Sequence, residues 1–437
     1  MSYVAAARQE SRKCGRSRGA RWIGALAAVI IAVAGSHSAH AQGIYLPSIG
    51  PTNQSFGGAA TAAPIDSAGA LYWNPATLSG LKSSEMAFGL GIVSPHAQLS
   101  STVGGVSGAT DSDAGVIPVP TIGWVQKSND SALTYGIGIF GVGGFGLNYP
   151  GDATNPILAP QSAGGMGRVY SSAEIYQVVP TASLALSDQL SIGIAPVVTL
   201  AKISLDPLFL APPVGGSYGP GTGTKYSWGA GVQAGIYYIT DSDWHLGASI
   251  KSPQWMESFQ YHSQTAAGVP FDAKFGFDMP LTFSLGTAYT GFDRWTIATD
   301  LRYLDWSNTK GFDQQGYGPN FAVNGLGWRS TWAVSVGSQY ELTDRLTLRS
   351  GWQYMQNPIP HGQTMFNVPS ALIIQNWASL GAGYKLRSNV TANIAYSRGL
   401  EQQHDGPVVL PAGVVPGSVV RSKVSADMFT FGVTVSY

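Results

Sequence analysis

Cysteine is almost missing from this sequence: its one thiol, Cys14, stands ahead of a short apolar run near the N-terminus. The remainder can form no disulfide, thiolate metal site or cysteine nucleophile. Charge is scarce as well, at 11% of residues, against roughly a quarter in ordinary globular proteins. Beyond residues 1–41 no stretch reaches about 18 consecutive apolar residues, so a helical membrane protein is not the expectation. Histidine offers little chemistry. His96, His262, His361 and His404 fall in predicted loops, His245 falls on a strand, and none has the paired spacing of a zinc site. No G-x-S-x-G elbow, phosphate-cradling loop or dinucleotide fingerprint stands in a supporting context. The pattern points away from an enzyme and calls for no cofactor or metal.

What is present begins with an export signal. Arg8, Arg12, Lys13, Arg16, Arg18 and Arg21 form a basic region, residues 22–35 an apolar one, and Ala39-His40-Ala41 a cleavage site. Residues 1–41 are therefore read as a cleaved leader, with Gln42 as the mature start. Of 24 basic and 24 acidic residues, 18 and 23 remain after cleavage, a net charge of −5. Such a chain is a poor partner for nucleic acid. Cys14 leaves with the leader and precedes the apolar run, so it cannot serve as a lipoprotein anchor.

The whole chain is rich in glycine, with 56, and carries 11% aromatics, and after the leader these fall into a short-period pattern. Residues 279–306 show the unit: Leu281, Phe283, Leu285, Thr287 and Tyr289 alternate with Thr282, Ser284, Gly286 and Ala288. Gly291, Phe292, Asp293 and Arg294 turn the chain, and Trp295, Ile297, Thr299, Leu301 and Tyr303 resume the alternation. Fourteen such strands are predicted: 85–94, 118–127, 131–142, 173–186, 190–203, 224–239, 244–251, the two of the hairpin just described, 329–342, 345–356, 374–386, 390–397 and 425–437. Short polar turns alternate with longer loops, as in an outer-membrane β-barrel with periplasmic turns and extracellular loops. The fold class expected is all-β: a 14-stranded antiparallel transmembrane β-barrel over residues 83–437. The last strand ends on an aromatic, Tyr437.

Residues 42–82 lack the alternation. A small-residue run, 57–63, leads to Pro64, Asp66 and then Leu71, Tyr72, Trp73, Asn74, Pro75, Ala76 and Leu78. Close-packing small residues and an Asn-Pro turn predict a compact plug inside the lumen.

Two further sets are candidate ligand contacts. Loop residues Leu208, Phe209, Leu210, Trp255 and Phe259 are apolar enough either to line a greasy groove or to pack the loops on one another. Cations on the small-residue faces, Arg302, Arg349 and Lys251, together with Arg168 before the fourth strand, either hold a ligand carboxylate or pair internally. The internal partners would be Asp300 for Arg302 and Glu174 for Arg168.

The chain resembles the FadL/TodX family of outer-membrane transporters for long-chain fatty acids and aromatic hydrocarbons. The likeness rests on Asn74-Pro75-Ala76, on Gly167-Arg168-Val169-Tyr170 and on the run from Asp300 to Ser307. Gly351-Trp352-Gln353-Tyr354 and Asn357-Pro358-Ile359-Pro360 add to it. It implies a monomer, surrounded by outer-membrane lipid, that carries a hydrophobic small molecule passively. The ligand would land on extracellular loops, pass to an inner pocket and leave sideways through the wall. Gln42, Gly43, Ile44 and Tyr45 would be the mobile end of the hatch, and Gly138, Gly141, Gly143 and Gly144 the kink at the opening. The family often has glycine after Asn-Pro-Ala, where this chain has Thr77, and Asp66 is the only charge of the hatch before Lys82. A general porin, an outer-membrane lipid hydrolase and an adhesin or phage receptor without transport are the rival readings.

Overall fold

The computed structural model describes residues 43–128, 131–265 and 268–437. The leader and Gln42 lie outside the described residues. Fourteen strands form the wall: β1 (Glu85–Val103), β2 (Ile117–Lys127), β3 (Leu133–Tyr149), β4 (Val169–Ala185), β5 (Leu190–Asp206), β6 (Lys225–Ile239) and β7 (Trp244–Lys251). They continue as β8 (Thr282–Phe292), β9 (Trp295–Leu304), β10 (Thr331–Glu341), β11 (Leu346–Met355), β12 (Asn376–Arg387), β13 (Val390–Gly406) and β14 (Val419–Ser436). Each pairs antiparallel with its chain neighbours, and β1 pairs with both β2 and β14. The sheet is thereby closed and has no free edge to expose to lipid.

Period two decides what faces where. On β14, Phe429, Phe431 and Val433 point outward and are exposed, while Met428 and Thr430 are buried toward the lumen. On β8, Leu285 points outward and Ser284 and Ala288 inward. The oily face meets acyl chains and the small polar face meets the interior. Near the periplasmic turns stand aromatic pairs, Trp124 with Tyr135, Trp244 with Tyr289 and Trp295 with Tyr340. The Trp124 Nε1 donates to the Tyr437 hydroxyl at 2.6 Å. Such rings suit the level of the lipid headgroups.

Toward the extracellular side the apolar band ends in charge. Arg398 Nη1 and Asp427 pair at 2.5 Å on the outer face of β13 and β14, with His96 of β1 beside them at 3.2 Å. Strands β1, β13 and β14 run on past this level, and the long loops pack above the barrel.

The lumen is filled by residues 43–81. Helix α1 (Gly50–Ser55) starts with Pro51 in its first turn, where a missing N–H costs nothing. Helix α2 (Ser67–Trp73) is capped by Asp66, whose carboxylate accepts from Gly69 N at 3.1 Å. A 3₁₀ turn, Pro75–Gly80, follows.

Candidate functional site

The hatch is fixed to the wall at two places. Asn74 Oδ1 accepts from Ala76 N at 3.1 Å, closing the turn, while Asn74 Nδ2 donates to Thr61 O at 2.7 Å and Ile236 O at 3.0 Å. The turn lies so close to β6 that a Cβ on Gly235 would come within 1.9 Å of Asn74 Oδ1. Glycine is what lets the backbone approach. Thr77, the departure from the family pattern, donates its hydroxyl to Asn74 O at 2.7 Å and keeps the turn closed.

The second anchor is charged. Asp300 Oδ2 accepts from Ala60 N, Thr61 N and Thr61 Oγ1 at 2.9, 3.0 and 2.8 Å. Arg302 Nη2 donates to that same oxygen at 2.6 Å and to Gly58 O at 2.5 Å. Its guanidinium stacks 3.5 Å from the Trp73 ring. Of the two roles open to Arg302, the internal pair with Asp300 is the one formed.

The wall has a break, and the hatch's first residues lie against it. The β2–β3 ladder runs from Lys127↔Thr134 only to Thr121↔Phe140. Beyond that point β2 stays paired with β1 as far as Val93↔Ile117, and β3 stays paired with β4 as far as Tyr149↔Val169. Pro118 and Pro120 stand on alternate positions of β2, so both take an N–H from the same edge of the strand. The β1 ladder passes both prolines unbroken, so the stripped edge is the one toward β3.

On the other side of the break β3 is bulged between Gly141 and Gly143, and Gly144 takes a φ of +148°. Tyr45 bridges Gly143 in antiparallel fashion. Gly144 N donates to Ile44 O, and Leu46 N donates to Val142 O, each at 2.9 Å. The hatch terminus thus serves as an inner strand along the stretch of β3 that lacks β2. A Cβ on Gly143 would stand 2.4 Å from Ile44 O. Gly138 is different: it pairs regularly with Gly123 and Val179 and makes room for the Phe140 ring, so it is no part of the kink.

Two apolar cavities meet at this point. The outer one, about 110 Å³, lies under the extracellular loops and is lined by Ile44, Phe145, Phe209, Leu210, Phe277 and Trp328 among others. The inner one, about 90 Å³, lies behind the break and is lined by Gly43, Tyr45, Phe145, Ile117 and Trp377 among others. Phe145 and Leu372 belong to both and form the partition.

The remaining sequence candidates divide. Phe209 and Leu210 line the outer cavity, while Leu208 is fully buried beside it. Phe259 is fully buried and stacks on Phe275 and Phe277, each at 5.3 Å, backing the cavity wall. Trp255 faces the other way. It pairs with Ala230 on the outer face of β6 and is 62% exposed, because a short strand carries its side chain away from the lumen. Arg168 is an exposed loop residue that donates to Asn148 Oδ1 at 3.0 and 3.2 Å. It does not pair with Glu174. That carboxylate lies opposite Lys202 in the β4–β5 register and bonds it at 2.6 Å. Arg349 sits beneath the hatch, bonded to Gln339 at 2.7 Å and Asn393 at 3.3 Å, and opens on a polar periplasmic vestibule. Neither Arg168 nor Arg349 lines the apolar cavities. Sequence reasoning missed Phe145, Leu372 and the two prolines; of these only the prolines carry a local signal.

A closed barrel with a lipid-facing exterior, a lumen plugged by its own N-terminal segment and apolar cavities against a breach in the wall defines an outer-membrane transport barrel. The chain belongs to the outer membrane protein transport protein family (OMPP1/FadL/TodX), whose model matches residues 30–437. Outer membrane protein P1 of Haemophilus influenzae is 25% identical over 85% of this chain and 88% of its own length. In fold the chain is similar to a FadL homologue from Pseudomonas aeruginosa, with a TM-score of 0.69, 16% identity, and 90% and 100% of the two chains covered. It is likewise similar to the toluene transporter TodX of Pseudomonas putida, with a TM-score of 0.66, 16% identity, and 90% and 99% covered. The protein is an outer-membrane transport protein for hydrophobic compounds, and its relatives are transport proteins and channels of that membrane.

Proposed function

We propose that the protein takes up long-chain fatty acids passively: they are captured in the outer cavity, pass to the inner one and leave sideways into the bilayer. The observation that carries this reading is the unpaired stretch of wall between β2 and β3, closed from within by Ile44, Tyr45 and Leu46. The break begins beside Gly89 and Gly432 and runs to the level of Ile92 and Phe429, within the outer half of the apolar band. An apolar chain that leaves there passes from protein to hydrocarbon. A route through the periplasm would return it to water at a cost of about 0.8 kcal/mol for each CH₂.

A second reading draws on the outer cavity itself. Its rings, Phe145, Phe209, Phe275, Phe277, Phe312 and Trp328, also suit a compact aromatic hydrocarbon. Uptake of palmitate and of toluene by cells that depend on this protein separates the two. Restored palmitate uptake with unchanged toluene entry supports the fatty-acid route, the reverse supports the aromatic one, and no effect on either overturns both.

A further inference from the structure

The bulge in β3 does more than bend the wall. On its periplasmic side the inward residues are even-numbered, with Phe140 buried and Ile139 exposed on the lipid face. Gly141 pairs with Tyr176 and Gly143 with Ile175, so Val142 is an extra residue on this strand. One inserted residue exchanges the two faces, and beyond it Leu147 and Tyr149 are the buried ones. Phe145 belongs to this second phase. It lies opposite Ala173, a small buried residue that leaves room for a ring on the inner face.

Leu372 reaches the same point from the loop between β11 and β12. This segment crosses from one cavity to the other: Pro369 and Ser370 line only the outer one, Ala371 and Ile374 only the inner one, and Leu372 both. Bonds on either side of it fix its course. The Ser171 hydroxyl donates to Pro369 O, Trp328 Nε1 donates to Asn367 Oδ1 at 2.7 Å, and Asn367 Nδ2 donates to Leu326 O and Gln363 O, each at 2.9 Å. Neither cavity holds a long chain by itself. At about 10–15 Å³ for each water-sized group, volumes of about 110 and 90 Å³ take no more than roughly ten groups apiece. A methylene is close to water in size, so a chain of about sixteen carbons outgrows either space and must lie across both.

We propose that Phe145 and Leu372 are specificity-determining residues: they form a constriction that passes an unbranched acyl chain and rejects a methyl-branched chain of the same length. The inference rests on the passage from outer to inner cavity argued above and adds selection by shape to it. A chain that lies across both cavities meets these two side chains along its middle. Close packing there leaves no space for an added methyl group unless the partition itself is displaced. The phase of β3 holds one side of the partition and the bonded loop holds the other, so its width is set by the fold.

The test compares palmitate with phytanate, which has the same main chain and carboxylate but carries methyl branches. Initial uptake of each labelled acid is measured in cells whose outer-membrane entry depends on this protein, and is normalised to cells with a permeabilised outer membrane, which removes discrimination further downstream. The native protein is expected to favour palmitate by on the order of tenfold or more, the discrimination that a methyl-sized misfit gives in an apolar site. Phe145→Ala is expected to raise the phytanate rate several-fold and so to shrink the ratio, a gain that a damaged barrel does not give. Leu372→Ala, on a separate element, is expected to do the same. Heat-modifiable electrophoretic mobility identifies folded barrels, and Leu372→Ala carries the test if Phe145→Ala fails to fold. Equal native rates for the two acids overturn the constriction and leave the uptake route standing. So does a palmitate-to-phytanate ratio that stays at its native value in the folded alanine variants. Native uptake of neither acid refutes the route on which the constriction rests.

Discussion

Arg302 directs its guanidinium at the hatch, and the consequence is measurable. Removing one member of a buried pair leaves the other uncompensated, at a cost of roughly 3–5 kcal/mol. Arg302→Met is therefore expected to loosen residues 58–61, seen as faster amide exchange there and a lower unfolding temperature, and Arg302→Met with Asp300→Leu to loosen them further, because Ala60 N, Thr61 N and the Thr61 hydroxyl then lose their acceptor as well. Asp66 provides a pH dependence. Burial first, and then the nearby Glu85 carboxylate, push its carboxyl from the ordinary 3.8 up to about 7, against the opposing pull of the Gly69 N–H and Arg349. Also near it on the vestibule are His245 and Lys82. The docked hatch thus holds this proton more tightly than a released one. Its stabilisation is complete below about 4 and is lost as pH rises through about 7. Amide exchange in α2 is expected to quicken across that range, and Asp66→Asn to remove the dependence. At this scale the sequence was only partly legible. Arg168 and Glu174 are six residues apart, yet the strand register puts Glu174 opposite Lys202, and register is not a local property. Trp255 shows the same limit, since an apolar loop residue carries no mark of which side of the wall it faces.

At the scale of the element, period two gave away the wall. All fourteen strands lie where the alternation places them, and several extend farther into the extracellular side than their apolar pattern does. The strands lengthen where outward positions turn polar, as at Lys423 and Asp427 on β14, so hydropathy stops before the ladder does. The bulge was legible in Gly141, Gly143 and Gly144; Gly138 looked the same because a packing vacancy and a kink both ask for glycine. What sequence alone left hidden is that Pro118 and Pro120 strip the edge facing β3, a matter of which neighbour lies where. Restoring both donors with Pro118→Val and Pro120→Val offers β3 two hydrogen bonds of about 1 kcal/mol each. The valines stay on the lipid-facing side. Uptake is expected to fall on the order of thirtyfold if the whole difference stabilises the closed wall, measured as initial rate against surface-exposed protein. An unchanged rate contradicts a route through this gap.

For the whole molecule, the barrel, hatch and loops assign three jobs to three regions. Loops gather apolar surface into a cavity, the hatch fills the lumen, and the β2–β3 ladder breaks where the hatch terminus covers it. The proposed lateral route would keep solute passage apart from water passage. Single-channel recordings in planar bilayers are accordingly expected to show no large unitary steps, and frequent large steps would favour an aqueous pore. The central claim is that the hatch terminus must leave β3 before solute can exit. Leu46 and Val142 are neighbours across that bridge, with Cα atoms expected about 5.5 Å apart, a separation that accepts a disulfide. No cysteine follows Cys14, so the double variant Leu46→Cys with Val142→Cys carries one defined pair. Initial palmitate uptake by cells bearing it, oxidised and then reduced, is the most direct measurement. The account predicts that oxidation abolishes uptake and reduction restores it, with single-cysteine controls indifferent to both; full uptake through the oxidised, cross-linked barrel would contradict it.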